Sequence, residues 1–371
     1  MKRKKNIQIA IICILLATGT NAQDSSGAKP ATTATTNPLS FSGYVEAYYS
    51  YDFDKPADNL RPSLMYSHNR HNEFNINLAF IRGSYSGERE RATLALAAGT
   101  YMNANYSSET GVLKNIYEAN AGYKLSAKSN LWIDAGILPS HIGWEGAVSK
   151  DCWTLTRSIA ADNSPYYEGG ARLSYTTNNG KWSLGGYALN GWQRITRVAG
   201  NSLMSWGTQV QFRPNDHVQL NYSTFIGTDS PDSVRKWRYF HDVFGIFQFN
   251  STVGLTVGFD YGTQQSEKNS SSYYHWYSPV GIVRITPSTK WAIAMRVEYY
   301  NDEHGVIIYT GTANGFQTSG YSVNVDYLPA KNMAVRFEAR TLHSKDYIFL
   351  KDGLSLQQDN SAITFSMALS F

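Results

Sequence analysis

Apolar and polar residues alternate with period two along most of the chain, the signature of strands with one apolar face. In Ser361 to Phe371, Ile363, Phe365, Met367, Leu369 and Phe371 share one face, and Ala362, Thr364, Ser366, Ala368 and Ser370 share the other. The first such stretch sets Val45, Ala47, Tyr49, Tyr51 and Phe53 against Tyr44, Glu46, Tyr48 and Ser50; Phe74, Ile76, Leu78 and Phe80 then form an apolar face opposite Asn75 and Asn77. The pattern continues over Thr93 to Tyr101, Asn115 to Leu125, Leu131 to Leu138, Tyr166 to Thr176, Trp182 to Leu189, Trp206 to Arg213, Val218 to Ile226, Trp237 to Phe249, Val253 to Tyr261, Tyr273 to Ile285, Trp291 to Tyr299, Phe316 to Tyr327 and Met333 to Thr341. This predicts about 16 strands of roughly 9 to 11 residues, the length that crosses a bilayer at a tilt.

The connections alternate short and long. Pro214, Pro287 and Pro329 each stand four residues before an apolar strand residue, Val218, Trp291 and Met333. Proline presets φ for a tight corner and has no N–H to lose from a ladder. The long connections, such as Gly191 to Ser205, Asn301 to Gly315 and Ser344 to Asn360, are rich in Gly, Asn, Ser and Asp. These features predict an all-β transmembrane antiparallel up-and-down barrel with short periplasmic turns and long extracellular loops. A soluble sandwich, propeller or lectin-like domain would also alternate. Against it, the faces Trp291-Ile293-Met295-Val297-Tyr299 and Val253-Leu255-Val257-Phe259-Tyr261 carry no charge, while the opposite faces carry pairs such as Arg296 with Glu298.

Composition fixes the compartment. Lys2, Arg3, Lys4 and Lys5, the apolar run Ile7 to Ala17 and the small-x-small site Thr20-Asn21-Ala22 read as a signal peptide cleaved after Ala22. Residues 1–22 are thus expected to be removed, 23–38 to form a flexible periplasmic leader and 39–371 the barrel. Cleavage takes four of the 33 Lys and Arg, leaving 29 against 29 Asp and Glu, so the basic balance belongs to the signal and nucleic acid is not an expected partner. Cys152 remains as the single mature cysteine, which excludes an intrachain disulfide. A mean hydropathy of -0.37 is compatible with membrane insertion, because a wet lumen makes half of every strand polar.

Chemistry-bearing motifs are few. The sequence has no Walker loop, G-x-S-x-G elbow, H-E-x-x-H or C-x-x-C, which argues against an enzyme, and no cofactor or metal is expected. His68 and His71 form a two-imidazole metal candidate, with a solvated loop pair as the plainer reading; Asp302, Glu303 and His304 are read as a solvated cluster. Cys152 is expected to pack against Trp153 rather than react, and Trp182, Trp237, Tyr261, Trp276 and Trp291 to form interfacial belts rather than sugar platforms. Parity directs Glu46, Glu118, Asp134, Glu168, Asp260, Glu298, Asp326 and Glu338 to the lumen, together with Arg82, Lys124, Arg172, Arg213, Arg284, Arg296, Arg336 and Arg340. These are the candidate pore-lining charges, with lacing of neighbouring strands as the alternative role. On the strand Trp291 to Tyr299, an outward arginine at 293 or 297 is expected to disrupt insertion and one at Ala294 to be tolerated.

Asp134 to Gly170, and within it GILPSHIGWE, resembles the corresponding region of an OmpL-like family of outer-membrane β-barrel porins of Gram-negative bacteria, a similarity that spans essentially the mature chain. The resemblance implies an outer-membrane channel. A terminal strand ending on Phe371 likewise resembles the recognition signal for the barrel-assembly machinery. Loop 139–165 joins the fifth and sixth strands, where the constriction loop of general porins lies, and carries Ile142, Trp144, Cys152, Trp153, Leu155 and Ile159. It is expected to fold inward and narrow the pore, with Glu145, Asp151, Arg157 and Asp162 as its charged residues; the acids would face Arg296, Arg336 and Arg340 across the lumen and give a transverse field with little ion preference. An extracellular loop with its own small apolar cluster is the alternative. The expected function is passive diffusion of small hydrophilic solutes through a barrel surrounded by outer-membrane lipid. A plugged adhesin or scaffold and an outer-membrane enzyme remain as alternatives, and analogy with porins leaves homo-oligomerisation open.

Overall fold

The computed structural model describes residues 37–371, so the signal and nearly all of the leader lie outside it. Sixteen strands close an antiparallel barrel: β1 Leu39–Asp52, β2 Phe74–Ser86, β3 Glu90–Ala98, β4 Ile116–Lys124, β5 Asn130–Pro139, β6 Tyr167–Thr176, β7 Trp182–Leu189, β8 Ser205–Asn215, β9 Val218–Gly227, β10 Arg238–Gln248, β11 Val253–Gln265, β12 Tyr273–Ser288, β13 Trp291–Asp302, β14 Phe316–Ala330, β15 Met333–Ser344 and β18 Asp359–Ser370. A separate hairpin, β16 Phe349–Lys351 with β17 Ser355–Gln357, lies in the last connection. β1 closes the ring on β18, with Glu46 opposite Ala368. Closure leaves no unpaired strand edge, the condition for a sheet to cross hydrocarbon. No helix among the described residues is long and apolar enough to cross a membrane. Connections run to two to five residues at one end of the barrel and seven to 27 at the other, called here the short-turn and long-loop ends.

Along β13 the two faces separate cleanly. Ile293, Met295 and Val297 are 37, 44 and 57 % exposed on the outside, whereas Ala294, Arg296 and Glu298 are at most 2 % exposed inside. Moving an arginine to the outer face would cost about 2 to 4 kcal/mol at mid-bilayer, which explains why charge is confined to the inner face.

On β2 the parity expected from sequence breaks. The register skips Asn77 between Leu78 opposite Glu46 and Ile76 opposite Ala47, a β-bulge. One extra residue reverses the facing of everything beyond it, so Phe74 and Ile76 face out while Leu78 and Phe80 face in. The third strand also ends earlier than its pattern suggests. Gly99, at φ +133°, turns the chain where a β-carbon would meet the Asn77 carbonyl oxygen at 2.3 Å, and the short helix α1, Thr100–Asn105, follows.

The core lies in the lumen. Leu64, Met65, Ile142 and Ile159 from the loops pack on Phe225, Phe240, Trp276 and Tyr300 from the wall. Beside this cluster, Tyr101, Met102 and Tyr106 pack on Leu78, Phe80 and Tyr167, with Tyr106 stacked on Tyr167 at 3.9 Å. Trp276 therefore points inward, against the belt expected from sequence; its place at the long-loop end of an inner face gives it loop partners instead of lipid. Trp182 and Trp291 face outward, against Phe212 and Tyr327.

Candidate functional site

The inserted loop, 140–166 between β5 and β6, enters from the long-loop end and is buried along almost all its length. His141 fixes its start: Nδ1 is 2.9 Å from Glu168, Nε2 is 2.8 Å from the Thr224 carbonyl, and the ring stacks on Tyr187 at 4.1 Å. Deeper in, Arg157 ties the loop to itself by donating to the carbonyls of Gly146, Leu155 and Ala147 at 2.6, 2.7 and 3.1 Å. Ser158 caps α2, Ile159–Asp162, by accepting from the Ala161 N–H. Glu145 accepts from the Ser158 N–H and hydroxyl and from Thr154.

The barrel wall grips this loop through charge. Arg296 donates to the Thr156 carbonyl at 2.7 Å and pairs with Glu338 at 3.0 Å, and Glu338 accepts the Thr156 N–H. Arg340 donates to the Arg157 carbonyl at 3.0 Å and pairs with Glu298 at 2.7 Å; Glu298 accepts the Ile159 N–H at 2.6 Å. Arg336, paired with Asp326 at 2.7 Å, donates to the carbonyls of Ser149 and Cys152. Hydrogen bonds to ionised groups are about twice as strong as neutral ones, and here Arg296, Glu338, Arg340 and Glu298 all satisfy loop backbone, while in the third pair Arg336 does so and Asp326 holds it in place. Near β1, Ser149 donates to Glu46, which also accepts from Asn77 and lies 3.0 Å from His68.

Three glycines on the inner face of β11 complete the seat. A β-carbon at Gly254 would stand 2.7 Å from Trp153, one at Gly258 2.2 Å from Trp144, and one at Gly262 2.0 Å from Trp276. Their spacing of four places them on one face, and this G-x-x-x-G-x-x-x-G signal in VGLTVGFDYG was available in the sequence. The close approaches leave room for three indoles.

The candidate charges thus divide. Glu46, Asp260, Arg296, Glu298, Asp326, Arg336, Glu338 and Arg340 are all at most 5 % exposed, and most are covered by the loop instead of lining open water. The expected transverse field across a gap does not form, because the arginines bind loop carbonyls directly. Of the loop residues, Glu145, Arg157 and Asp162 are buried, with Glu145 3.9 Å from Arg296, while Asp151 is exposed beside Lys150. Toward the short-turn end, Arg82, Glu118, Lys124, Arg172 and Arg284 are only half-buried and Arg213 is exposed. Asp134 there is shared by Arg172 at 3.1 Å and by Arg91 at 2.6 Å, an arginine outside the candidate set.

Other candidates change role. His68 and His71 are buried, not solvated: His68 meets Glu46, and His71 Nδ1 accepts the Asp52 N–H at 2.9 Å. Among the described residues no group of three metal-ligating side chains occurs. Asp302 is buried as well, its carboxylate accepting the N–H groups of Val306, Ile307 and Ile308, while Glu303 and His304 are exposed. Cys152 is buried near the carbonyls of Gly146 and Val148, and burial pushes its thiol up to about 11, which keeps it protonated and unreactive. Further buried ions went unnoticed in the sequence, among them Arg61, 3.7 Å from Asp52, and Glu109, which accepts the N–H groups of Ile195 and Thr196.

A closed antiparallel barrel of 16 strands, apolar outside and charged inside with a loop seated in its lumen, defines a porin-like outer-membrane protein. The chain belongs to the family described as "Putative beta-barrel porin-2, OmpL-like", whose model matches residues 38–371. No curated protein sequence matches it. Its fold is similar to the anion-selective porin from Comamonas acidovorans (TM-score 0.57, 11 % identity, covering 90 % of this chain and 99 % of that one). It is also similar to OmpT of Vibrio cholerae (0.59, 8 %, 91 % and 99 %) and to OmpF of Salmonella typhi in complex with daunomycin (0.56, 11 %, 90 % and 97 %).

Proposed function

We propose that the protein is a non-enzymatic channel for passive diffusion of small hydrophilic solutes across the outer membrane, with loop 139–165 as its constriction. The observation that carries this reading is the division of the inner wall. On β13 and β15 the charges are sealed beneath the loop, whereas Arg82, Glu118 and Arg172 on β2, β4 and β6 stay 18, 12 and 16 % exposed by side chain, so water reaches that side. About 16 strands also make a barrel too wide for wall side chains alone to fill. The two hydrophobic clusters at the long-loop end favour a second reading, a barrel plugged by its loops and used as a scaffold or adhesin. Single-channel recording of the purified protein in a planar bilayer separates them. Stable ohmic steps, small for a barrel of this size, support the channel; a folded but silent barrel supports the plug.

A further inference from the structure

The short-turn half of the lumen is a vestibule whose water-accessible charge is unbalanced. The buried ions on β13, β14 and β15 cancel locally: Arg296 meets Glu298 and Glu338, Arg336 meets Asp326, and Arg340 meets Glu298. At the short-turn end the inner wall presents Arg82, Arg91, Lys124, Arg172, Arg213 and Arg284, each half-buried or exposed, against the wall carboxylates Glu118, Asp134 and Asp326, the last already paired with Arg336, and the exposed loop carboxylate Asp151 beside Lys150. Glu118 pairs with Arg82 at 3.2 Å, and the single Asp134 carboxylate is divided between Arg91 and Arg172. Aromatic faces help hold two of these guanidinium groups: Arg82 lies 5.1 Å from the Phe80 ring centre and Arg91 4.2 Å from that of Trp132. Such contacts fix orientation without neutralising charge.

We propose that this vestibule makes the channel anion-selective, favouring small solutes bearing chloride-like, carboxylate or phosphate charge. A cleft lined by one sign of charge and walled by low-dielectric material concentrates counter-ions, and rings of Arg and Lys select anions in pores. Guanidinium forks add bidentate geometry for carboxylate and phosphate. The inference rests on the channel reading, since selectivity needs conduction.

The test is the zero-current potential of the full-length protein in a planar bilayer across a KCl gradient. The expected sign is that of chloride preference, fading toward about 1 M salt, where the screening length shrinks to about 3 Å. In the triple variant Lys124→Gln, Arg213→Gln, Arg284→Gln the preference should fall by more than half, with heat-modifiable gel migration intact. A conducting protein with potassium preference, or none, overturns the inference and leaves the channel standing. Chloride preference unchanged in a folded triple variant also overturns it. A folded but silent barrel overturns the channel reading, and this inference with it.

Discussion

The indole of Trp144 lies where a side chain at Gly258 would stand: a β-carbon there would be 2.2 Å from the ring. Gly258→Val therefore has to push the loop off β11, because the contact is with a buried ring held by Phe244 and not with the end of a mobile chain. The barrel ladder itself survives, since the substitution adds volume to the lumen alone. Limited trypsin digestion of the folded protein checks this. Arg157, buried in the native protein, becomes cleavable in the variant, and continued resistance would show that the loop absorbs the change.

Glu298 holds two cations, with Arg296 at 3.2 Å and Arg340 at 2.7 Å. Removing one partner from a buried pair costs about 3–5 kcal/mol, because an uncompensated charge is left behind. Glu298→Leu should therefore lower the temperature at which the folded band converts on a gel. Replacing Asp151, which is exposed and lies 3.4 Å from Lys150, should leave it unchanged.

Asp162 gives the loop a pH dependence. Burial pushes its carboxyl up to about 7, with Arg340 and Arg157 opposing, and Ser67 and Tyr166 donate to it. The unfolded value is about 3.9, so between these pH values the folded state binds more protons. Its contribution to stability therefore falls as pH rises from about 4 to 7 and is flat above. Asp162→Asn abolishes that decline, so its stability advantage over the parent should grow across this window in thermal gel-shift curves. An advantage that stays constant with pH would assign the titration elsewhere.

Val297 and Ala294 both reject arginine, for different reasons. Val297→Arg places a cation in hydrocarbon at about 2 to 4 kcal/mol near the midplane and should reduce recovery in the membrane fraction. Ala294 faces inward, but it is 1 % exposed beneath the cluster of Trp144, Trp153 and Phe244. An arginine there leaves insertion intact and displaces the loop, contrary to the tolerance expected from parity alone. Fractionation combined with trypsin sensitivity distinguishes the two failures.

Strand parity was legible wherever lipid and lumen impose opposite chemistry on adjacent residues, as on β13. It failed on β2, where a bulge at Asn77 inserts one unpaired residue and no local pattern announces it. The inward loop was legible from its apolar load. What it touches was not, because Arg296 and Thr156 lie 140 residues apart and only the closed barrel brings them together. His68 and Asp302 looked solvated for the same reason: their environments come from Glu46 and from the N–H groups of 306–308, set by tertiary packing. The glycine series on β11 was visible but acquires meaning only with the indoles that fill it.

Whether loop 139–165 constricts the lumen is decided by single-channel conductance after deletion of residues Glu145 to Arg157. The deletion removes the buried segment that covers Arg296, Arg336 and Arg340 and exposes those charges to water. The expected result is a folded, heat-modifiable barrel whose conductance is several-fold higher than the parent's. Unchanged conductance in a correctly assembled deletion variant would contradict it.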